Sequence, residues 1–142
     1  MTIALASDHA GYDYKERLKN LLEEMGHAWK DFGPHDTERS DYPDAAHAAS
    51  VAIQSGDCEM GIFVCGTGIG IGMAANRHRG IRAASCQILE AARMSRLHND
   101  ANVLALGQRL LNWDQAAEMA RIWLNTPFEG GRHLDRIRKI EL

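Results

Sequence analysis

Gly61-Ile62-Phe63-Val64-Cys65-Gly66-Thr67-Gly68-Ile69-Gly70-Ile71-Gly72-Met73-Ala74-Ala75-Asn76 is the stretch on which the reading of this chain turns. Ile62 to Cys65 reads as a short buried strand. Four alternate glycines follow, and Met73-Ala74-Ala75-Asn76 reads as the start of a helix running to about His78. A strand feeding a glycine-rich turn and a helix suits anion binding. Glycine lets the backbone approach a ligand closely, and the free N–H groups of a helix N-terminus point at it. Cys65 closes the strand, which aims its sulfur at whatever the turn holds.

Working outward, short apolar runs alternate with helical stripes. Thr2 to Ala6 predicts a first strand, followed by the turn Ser7-Asp8-His9-Ala10-Gly11. Tyr14, Leu18, Leu21, Leu22 and Met25 recur at helical spacing, and Gly26 marks the end of that helix. Ala28 to Phe32 predicts strand two. A polar loop then leads to Asp41-Tyr42-Pro43-Asp44, which opens a helix to about Ser55, with Pro43 in its first turn. Beyond the glycine stretch come strand four (Ile81 to Ser85), a helix (Gln87 to Leu97), strand five (Asn102 to Leu106), a helix (Trp113 to Asn125) and a last helix (Arg132 to Ile140). Five short strands separated by helices predict a three-layer, doubly wound α/β domain over residues 1–142, with a five-stranded parallel sheet. A strand order of 2-1-3-4-5 would make strands one and three neighbours, so their loops would line one crevice. The final helix has no sixth strand after it, which leaves it free to dock on a partner subunit.

Composition narrows the function classes. The chain has 142 residues, a net charge of −3 and 45% hydrophobic residues. That balance argues against a nucleic-acid surface as the main function. No apolar run approaches the ~20 residues needed to span a membrane. The N-terminus lacks a basic flank and reads as a strand, not a signal peptide. Three cysteines without C-x-x-C spacing fit reduced thiols in the cytoplasm.

The glycine turn is not a Walker A loop, because no Lys-Ser or Lys-Thr follows. Nor is it a dinucleotide fingerprint, because Ile71 and Met73 stand where a third glycine is needed. Anion or oxyanion binding fits it better than a simple tight turn. Beside a helix N-terminus, Cys65 suits a base or nucleophile, although a buried core thiol reads the same way in isolation. Asp8 fits either a ligand contact or a helix N-cap. His9 and Tyr42 fit either the crevice or ordinary surface and packing roles. Arg132 and Arg136 lie four apart on one helix face, a spacing suited to clamping a phosphate or to a solvated charge face. His98-Asn99-Asp100 precedes strand five and so falls at the opposite edge of the sheet from Cys65, one strand length of about 17 Å away. If both groups act on one substrate, two subunits must share the site. The seven histidines show no H-x-x-x-H and no cysteine at ligand spacing, so no metal site is expected.

Taken together, several motifs resemble those of the type B ribose-5-phosphate isomerases, a family that includes galactose-6-phosphate and allose-6-phosphate isomerases. They are Ser7-Asp8-His9-Ala10-Gly11, Asp41-Tyr42-Pro43-Asp44, Cys65-Gly66-Thr67-Gly68-Ile69-Gly70, Ala74-Ala75-Asn76, Gly80-Ile81-Arg82-Ala83, Ser95-Arg96 with His98-Asn99-Asp100, and Glu129-Gly130-Gly131-Arg132-His133. The resemblance spans essentially the whole chain. It implies a cofactor-free and metal-free aldose–ketose isomerase working through a cis-enediolate on ribose 5-phosphate and ribulose 5-phosphate.

Carried over by position, Cys65 is the base. Some members use a glutamate six residues further on instead, and here that position is Ile71. The N–H groups of Gly66, Gly68, Ile69 and Gly70, with Thr67, hold the enediolate oxygen. Asp8, His9 and Tyr42 contact the sugar. His98 opens the furanose ring and Asn99 binds substrate. Arg109, Arg132 and Arg136 hold the phosphate. The resemblance also implies a homodimer with a shared site, possibly assembled into a tetramer. Ser85-Cys86-Gln87-Ile88-Leu89-Glu90-Ala91-Ala92-Arg93 departs from the polar Ser or Thr residues expected after strand four, which bears on the pocket or the dimer face and so on substrate choice, not on reaction class. The alternatives are the same chemistry on a hexose or tetrose phosphate, a non-catalytic phosphate- or nucleotide-binding module, or a purely structural subunit.

Overall fold

A computed structural model describes all 142 residues. The chain alternates β1 (Thr2–Ser7), α1 (Tyr12–Glu24), β2 (Ala28–Asp31), α2 (Tyr42–Gln54), β3 (Met60–Cys65), α3 (Ile69–Ala75), β4 (Ala83–Ser85), α4 (Leu89–Leu97), β5 (Val103–Gly107), α5 (Trp113–Asn125) and α6 (His133–Arg138). A 3-10 turn, His9–Gly11, precedes α1. All four strand pairings are parallel.

The strand order is β2-β1-β3-β5-β4, which corrects the expected 2-1-3-4-5. The cause lies in the two last strands. Every residue of β5 is buried, whereas β4 has three residues, none fully buried. A strand covered on both faces belongs in the middle of a parallel sheet, and a short, half-exposed one belongs at the edge. After β3 the chain therefore steps outward to β4 and returns to insert β5. β1 and β3 remain neighbours, in register from Ile3↔Met60 to Ser7↔Val64. The chain reverses direction across the sheet between them, which opens a crevice at their C-terminal ends.

Side-chain alternation along the strands splits the core into two. Ile3, Leu5, Ile62, Val64, Leu104 and Leu106 point to the face covered by α1, α4 and α5, where Trp123 is fully buried. Ala4, Ala6, Phe63, Cys65, Val103 and Ala105 point to the other face, under α2 and α3. The second face is built from small residues, among them Ala45, Ala46, Ala49 and Ala52 of α2, so those helices lie close to the sheet. Cys65 belongs to this closely packed side. No helix is long and apolar enough to cross a membrane.

α3 begins at Ile69, four residues before the expected Met73, so Gly70 and Gly72 lie inside it. Packing is the reason. A Cβ on Gly70 would sit 2.7 Å from the Tyr42 ring, and one on Gly72 would sit 2.5 Å from the Ser85 hydroxyl oxygen. Gly68 holds the left-handed turn, with φ of 79°. Only part of the alternating glycine run is therefore loop.

Candidate active site

At the C-terminal rim, the ends of β1 and β3 bring two loops together. Cys65 is buried, and the Gly68 N–H donates to its sulfur at 3.1 Å. The Ile69 N–H donates to the Thr67 hydroxyl oxygen at 3.2 Å. The N–H groups of Gly66 and Thr67 donate to no protein acceptor. Those of Gly70 and Ile71, in the first turn of α3, have no helical carbonyl behind them. The turn thus presents unpaired donors around a thiol. The Ser85 hydroxyl donates to the Gly68 carbonyl oxygen at 2.7 Å and braces the turn from β4. Gly107, which pairs with Cys65, lies so close beneath Thr67 that a Cβ there would stand 2.6 Å from the Thr67 carbonyl. Gly107 did not stand out in the sequence, and Ser85 did so only as the first residue of the departure after strand four. Their importance comes from a close approach between segments that are distant in the chain.

Asp8 does cap a helical turn, accepting the Gly11 N–H at 3.1 Å, and is itself buried. His9 Nδ1 lies 3.2 Å from both the backbone nitrogen and the carbonyl oxygen of Ser40, which ties the polar loop before α2 to the rim. Tyr42 lies over Gly70 at the start of α2. Arg109 follows β5, donates its N–H to the Gly66 carbonyl at 3.0 Å, and lays its guanidinium against Gly66. Asp8, His9, Tyr42, Cys65, the glycine turn and Arg109 therefore share one rim of one chain.

A buried ionic cluster stiffens this rim from the side of β2. Lys15 has no exposed surface and contacts Asp31 Oδ2 at 2.6 Å, while Lys19 contacts the same oxygen at 2.7 Å. Burial opposes ionisation of Asp31. The hydrogen bonds from Lys15, Lys19 and the Gly33 N–H outweigh it and hold the carboxyl below its ordinary range. The Gly33 carbonyl in turn accepts the Ser7 N–H at 3.0 Å, next to Asp8. Burial pushes the Cys58 and Cys86 thiols up, which suits inert core residues.

His98, Asn99, Arg132 and Arg136 lie elsewhere. Cys65 pairs with Gly107 at one end of β5, and the His98 turn precedes the other end. Arg82 donates to the Asn99 and Asp100 carbonyls at 3.0 and 2.9 Å, and Arg96 meets Asp100 Oδ1 at 2.8 Å, so two arginines pin this turn. Asn99 lines a cavity of about 620 Å³ with Arg77, Arg79, Arg82 and the C-terminal Ile140 and Leu142. The His98 ring stacks on His133, with centroids 4.4 Å apart and planes at 18°. The Glu129 N–H donates to the Leu97 carbonyl at 3.0 Å, which docks the Glu129–His133 segment beside the end of α4. Burial, with His98 nearby, holds the His133 imidazole below its usual range. Arg132 and Arg136 are exposed at the start and middle of this last segment. His133 and Glu129 formed part of a recognised motif, but their contact with His98 required the fold.

A thiol and unpaired donors at the switch point of a doubly wound sheet define an α/β protein built to act on a small anionic ligand. The sequence pattern described as Ribose/Galactose Isomerase matches residues 3–140, and the chain belongs to this family of isomerases. It is 41% identical over 138 residues to ribose-5-phosphate isomerase B of Escherichia coli, covering 97% of this chain and 93% of that protein. Among solved structures, ribose-5-phosphate isomerase B of Clostridium thermocellum superposes with a TM-score of 0.97 at 48% identity, covering 99% of this chain and 95% of that one. The ribose 5-phosphate isomerase of Thermotoga maritima gives 0.95 at 47%, covering 99% and 97%.

Proposed function

We propose that this chain, acting as one isomerase domain over residues 1–142, interconverts ribose 5-phosphate and ribulose 5-phosphate in the cytoplasm as a homodimer. The observation that carries the reading is the Cys65 sulfur, held by the Gly68 N–H at 3.1 Å beside unpaired backbone donors. In the open-chain aldose, the Cys65 thiolate takes the proton from C2. The C2–H electron pair forms the C1–C2 double bond, and the carbonyl pair moves onto O1. The thiol then returns the proton to C1 as the C1–C2 double-bond pair forms the new C1–H bond, and the O2 proton passes to O1 as the O2–H pair forms the C2 carbonyl. The enediolate carries its charge on oxygen, where the Gly66 to Gly70 donors and Thr67 meet it. Preorganised donors of this kind contribute about 3–4 kcal/mol each to a transition state.

Asp8, His9 and Tyr42 hold the sugar hydroxyls. His98 opens the furanose ring, and Asn99 orients it. Arg109, Arg132 and Arg136 hold the phosphate, which fixes the sugar remotely. Arg109 sits on the thiol's rim, whereas His98, Asn99, Arg132 and Arg136 sit on the other. Two copies related by a two-fold axis, the thiol rim of each against the His98 rim of the other, bring the rims together in each of two sites. The last helix docks on the partner in this arrangement. Exposed Ile69 and Met73 on α3, at 44% and 66%, supply apolar surface beside the turn.

The test is turnover of ribose 5-phosphate by the purified protein, followed by NMR with allose 6-phosphate, galactose 6-phosphate and erythrose 4-phosphate in parallel. The pentose phosphate is expected to have the highest kcat/KM. Cys65→Ala is expected to lose about 10²–10⁴-fold in rate while still binding substrate. Near-normal rates in that variant would remove Cys65 from the role of base.

A further inference from the structure

Gly68 is the pivot of the donor turn, and three side chains hold it. The peptide before it ends in the Gly68 N–H, which donates to the Cys65 sulfur at 3.1 Å. The peptide after it joins the Gly68 carbonyl to the Ile69 N–H. That N–H donates to the Thr67 hydroxyl oxygen at 3.2 Å, and the carbonyl accepts the Ser85 hydroxyl at 2.7 Å. The Gly72 N–H also reaches the carbonyl, at a longer 3.3 Å. Glycine at a φ of 79° has little conformational preference of its own, so these bonds set where the donors point. Cys65 and Thr67 belong to the turn itself. Ser85 alone comes from elsewhere, the exposed end of β4.

The hydroxyl reaches Gly68 only because residue 72 has no side chain. A Cβ on Gly72 would stand 2.5 Å from the Ser85 hydroxyl oxygen, while the Ala105 and Ser85 Cβ atoms would lie at 3.5 and 3.9 Å. The last two are ordinary contacts, so the hydroxyl alone claims the space. Gly72 lies inside α3, where glycine costs helix stability relative to alanine. A helical serine at 72 can donate to the carbonyl four residues back, and that carbonyl belongs to Gly68. This chain instead brings the hydroxyl from the edge strand and leaves the helix position bare.

We propose that Ser85 is a positioning residue for the isomerisation, acting through the Gly68–Ile69 peptide, and that glycine at 72 is required to admit its hydroxyl. The role rests on the isomerase reading above, in which Ser85 touches no reacting atom. It fixes the donors that meet the enediolate oxygen, so its loss weakens the transition state more than the bound sugar. Ser85, the first residue of the departure after strand four, therefore governs rate and not the choice among sugar phosphates.

The experiment compares wild type with Ser85→Ala, Gly72→Ala, the Gly72→Ala/Ser85→Ala double and the Gly72→Ser/Ser85→Ala double. Ser55→Ala is the control, because Ser55 also spends its hydroxyl on a carbonyl, that of Ala52 at 3.1 Å, at the end of α2 away from Tyr42. The measurements are kcat and KM on the sugar phosphates, affinity for a phosphorylated hydroxamate that mimics the enediolate, and the Gly68 and Ile69 amide NMR signals without substrate. Ser85→Ala and Gly72→Ala should each lose about tenfold in kcat and in hydroxamate affinity, with KM and the ranking of sugars unchanged. The alanine double should be no slower than either single, since all three lose the same bond. Gly72→Ser/Ser85→Ala should recover most of the rate and return the amide signals toward wild type. Ser55→Ala should match wild type throughout. Wild-type kcat in Ser85→Ala, additive losses in the alanine double, or a changed preference among sugars would overturn the positioning role. A wild type without turnover would overturn the isomerase reading itself, whereas shifted amide signals with unchanged kcat would overturn only the role of Ser85.

Discussion

Replacing Gly107 by alanine isolates the placement of the donor turn from its chemistry. The added methyl would stand 2.6 Å from the carbonyl carbon and oxygen of Thr67 and 2.8 Å from its Cα. Carbon contacts are comfortable at about 3.5–4.0 Å, so the Thr67 backbone must retreat by roughly 0.9 Å. The atoms in the way are backbone, and no rotamer change relieves them. Overpacking of this kind costs about 1–3 kcal/mol in stability. The functional cost is larger, because a displacement of about 1 Å at aligned groups can lower a rate about 10²-fold. Gly107→Ala should therefore unfold at a moderately lower temperature yet lose about 10²-fold in kcat on ribose 5-phosphate. Gly26→Ala is the control. It adds strain at a φ of 83° with nothing within 4 Å, far from the rim, and should lower stability without changing kcat. The assay is steady-state kinetics beside thermal unfolding at matched concentration. A Gly107→Ala protein with wild-type kcat would refute the claim that the Gly66–Gly70 donors must hold this position.

Two further predictions concern charge. Asp31→Asn removes the partner of a fully buried lysine and should destabilise the protein by about 3–5 kcal/mol, measured by urea unfolding at neutral pH. Because the folded Asp31 carboxyl titrates below its ordinary value, its stabilisation is full above the unfolded carboxyl pKa near 4 and is lost as pH falls through the lower folded value. Wild type should therefore lose stability on acidification through that window, and Asp31→Asn should show a shallower loss. On substrate affinity, Arg132→Ala and Arg136→Ala should each raise KM about 10-fold or more, the loss of a charge-assisted hydrogen bond to phosphate. Unchanged KM in both would remove α6 from the phosphate site.

The layered α/β architecture was legible from the strand and helix periodicities, because buried parallel strands and amphipathic helices leave distinct patterns. Trp113 to Asn125 matches α5 residue for residue, since Asn112 and Gln115 form a capping box. Strand order was less accessible. It depends on which of Ala83–Ser85 and Val103–Gly107 is covered on both faces, a difference that the apolar content of Val103-Leu104-Ala105-Leu106 hinted at. The start of α3 was missed because glycine in a helix contradicts local propensity. Contacts with Tyr42 and Ser85 override that propensity here. Placing Cys65 and His98 at opposite ends of the sheet needed only strand direction. The meeting of His98 with Glu129 and His133 depends on where the last segment folds back, which no local pattern encodes.

The central claim is that Cys65 of one subunit and His98 of the other serve one site. Cys65→Ala and His98→Asn chains, each inactive alone, should be co-expressed with different tags and the heterodimer isolated. One of its two sites then carries both defects and the other carries neither, so about half of wild-type turnover should return. A heterodimer no more active than its parents would contradict a shared site and return all the chemistry to a single chain.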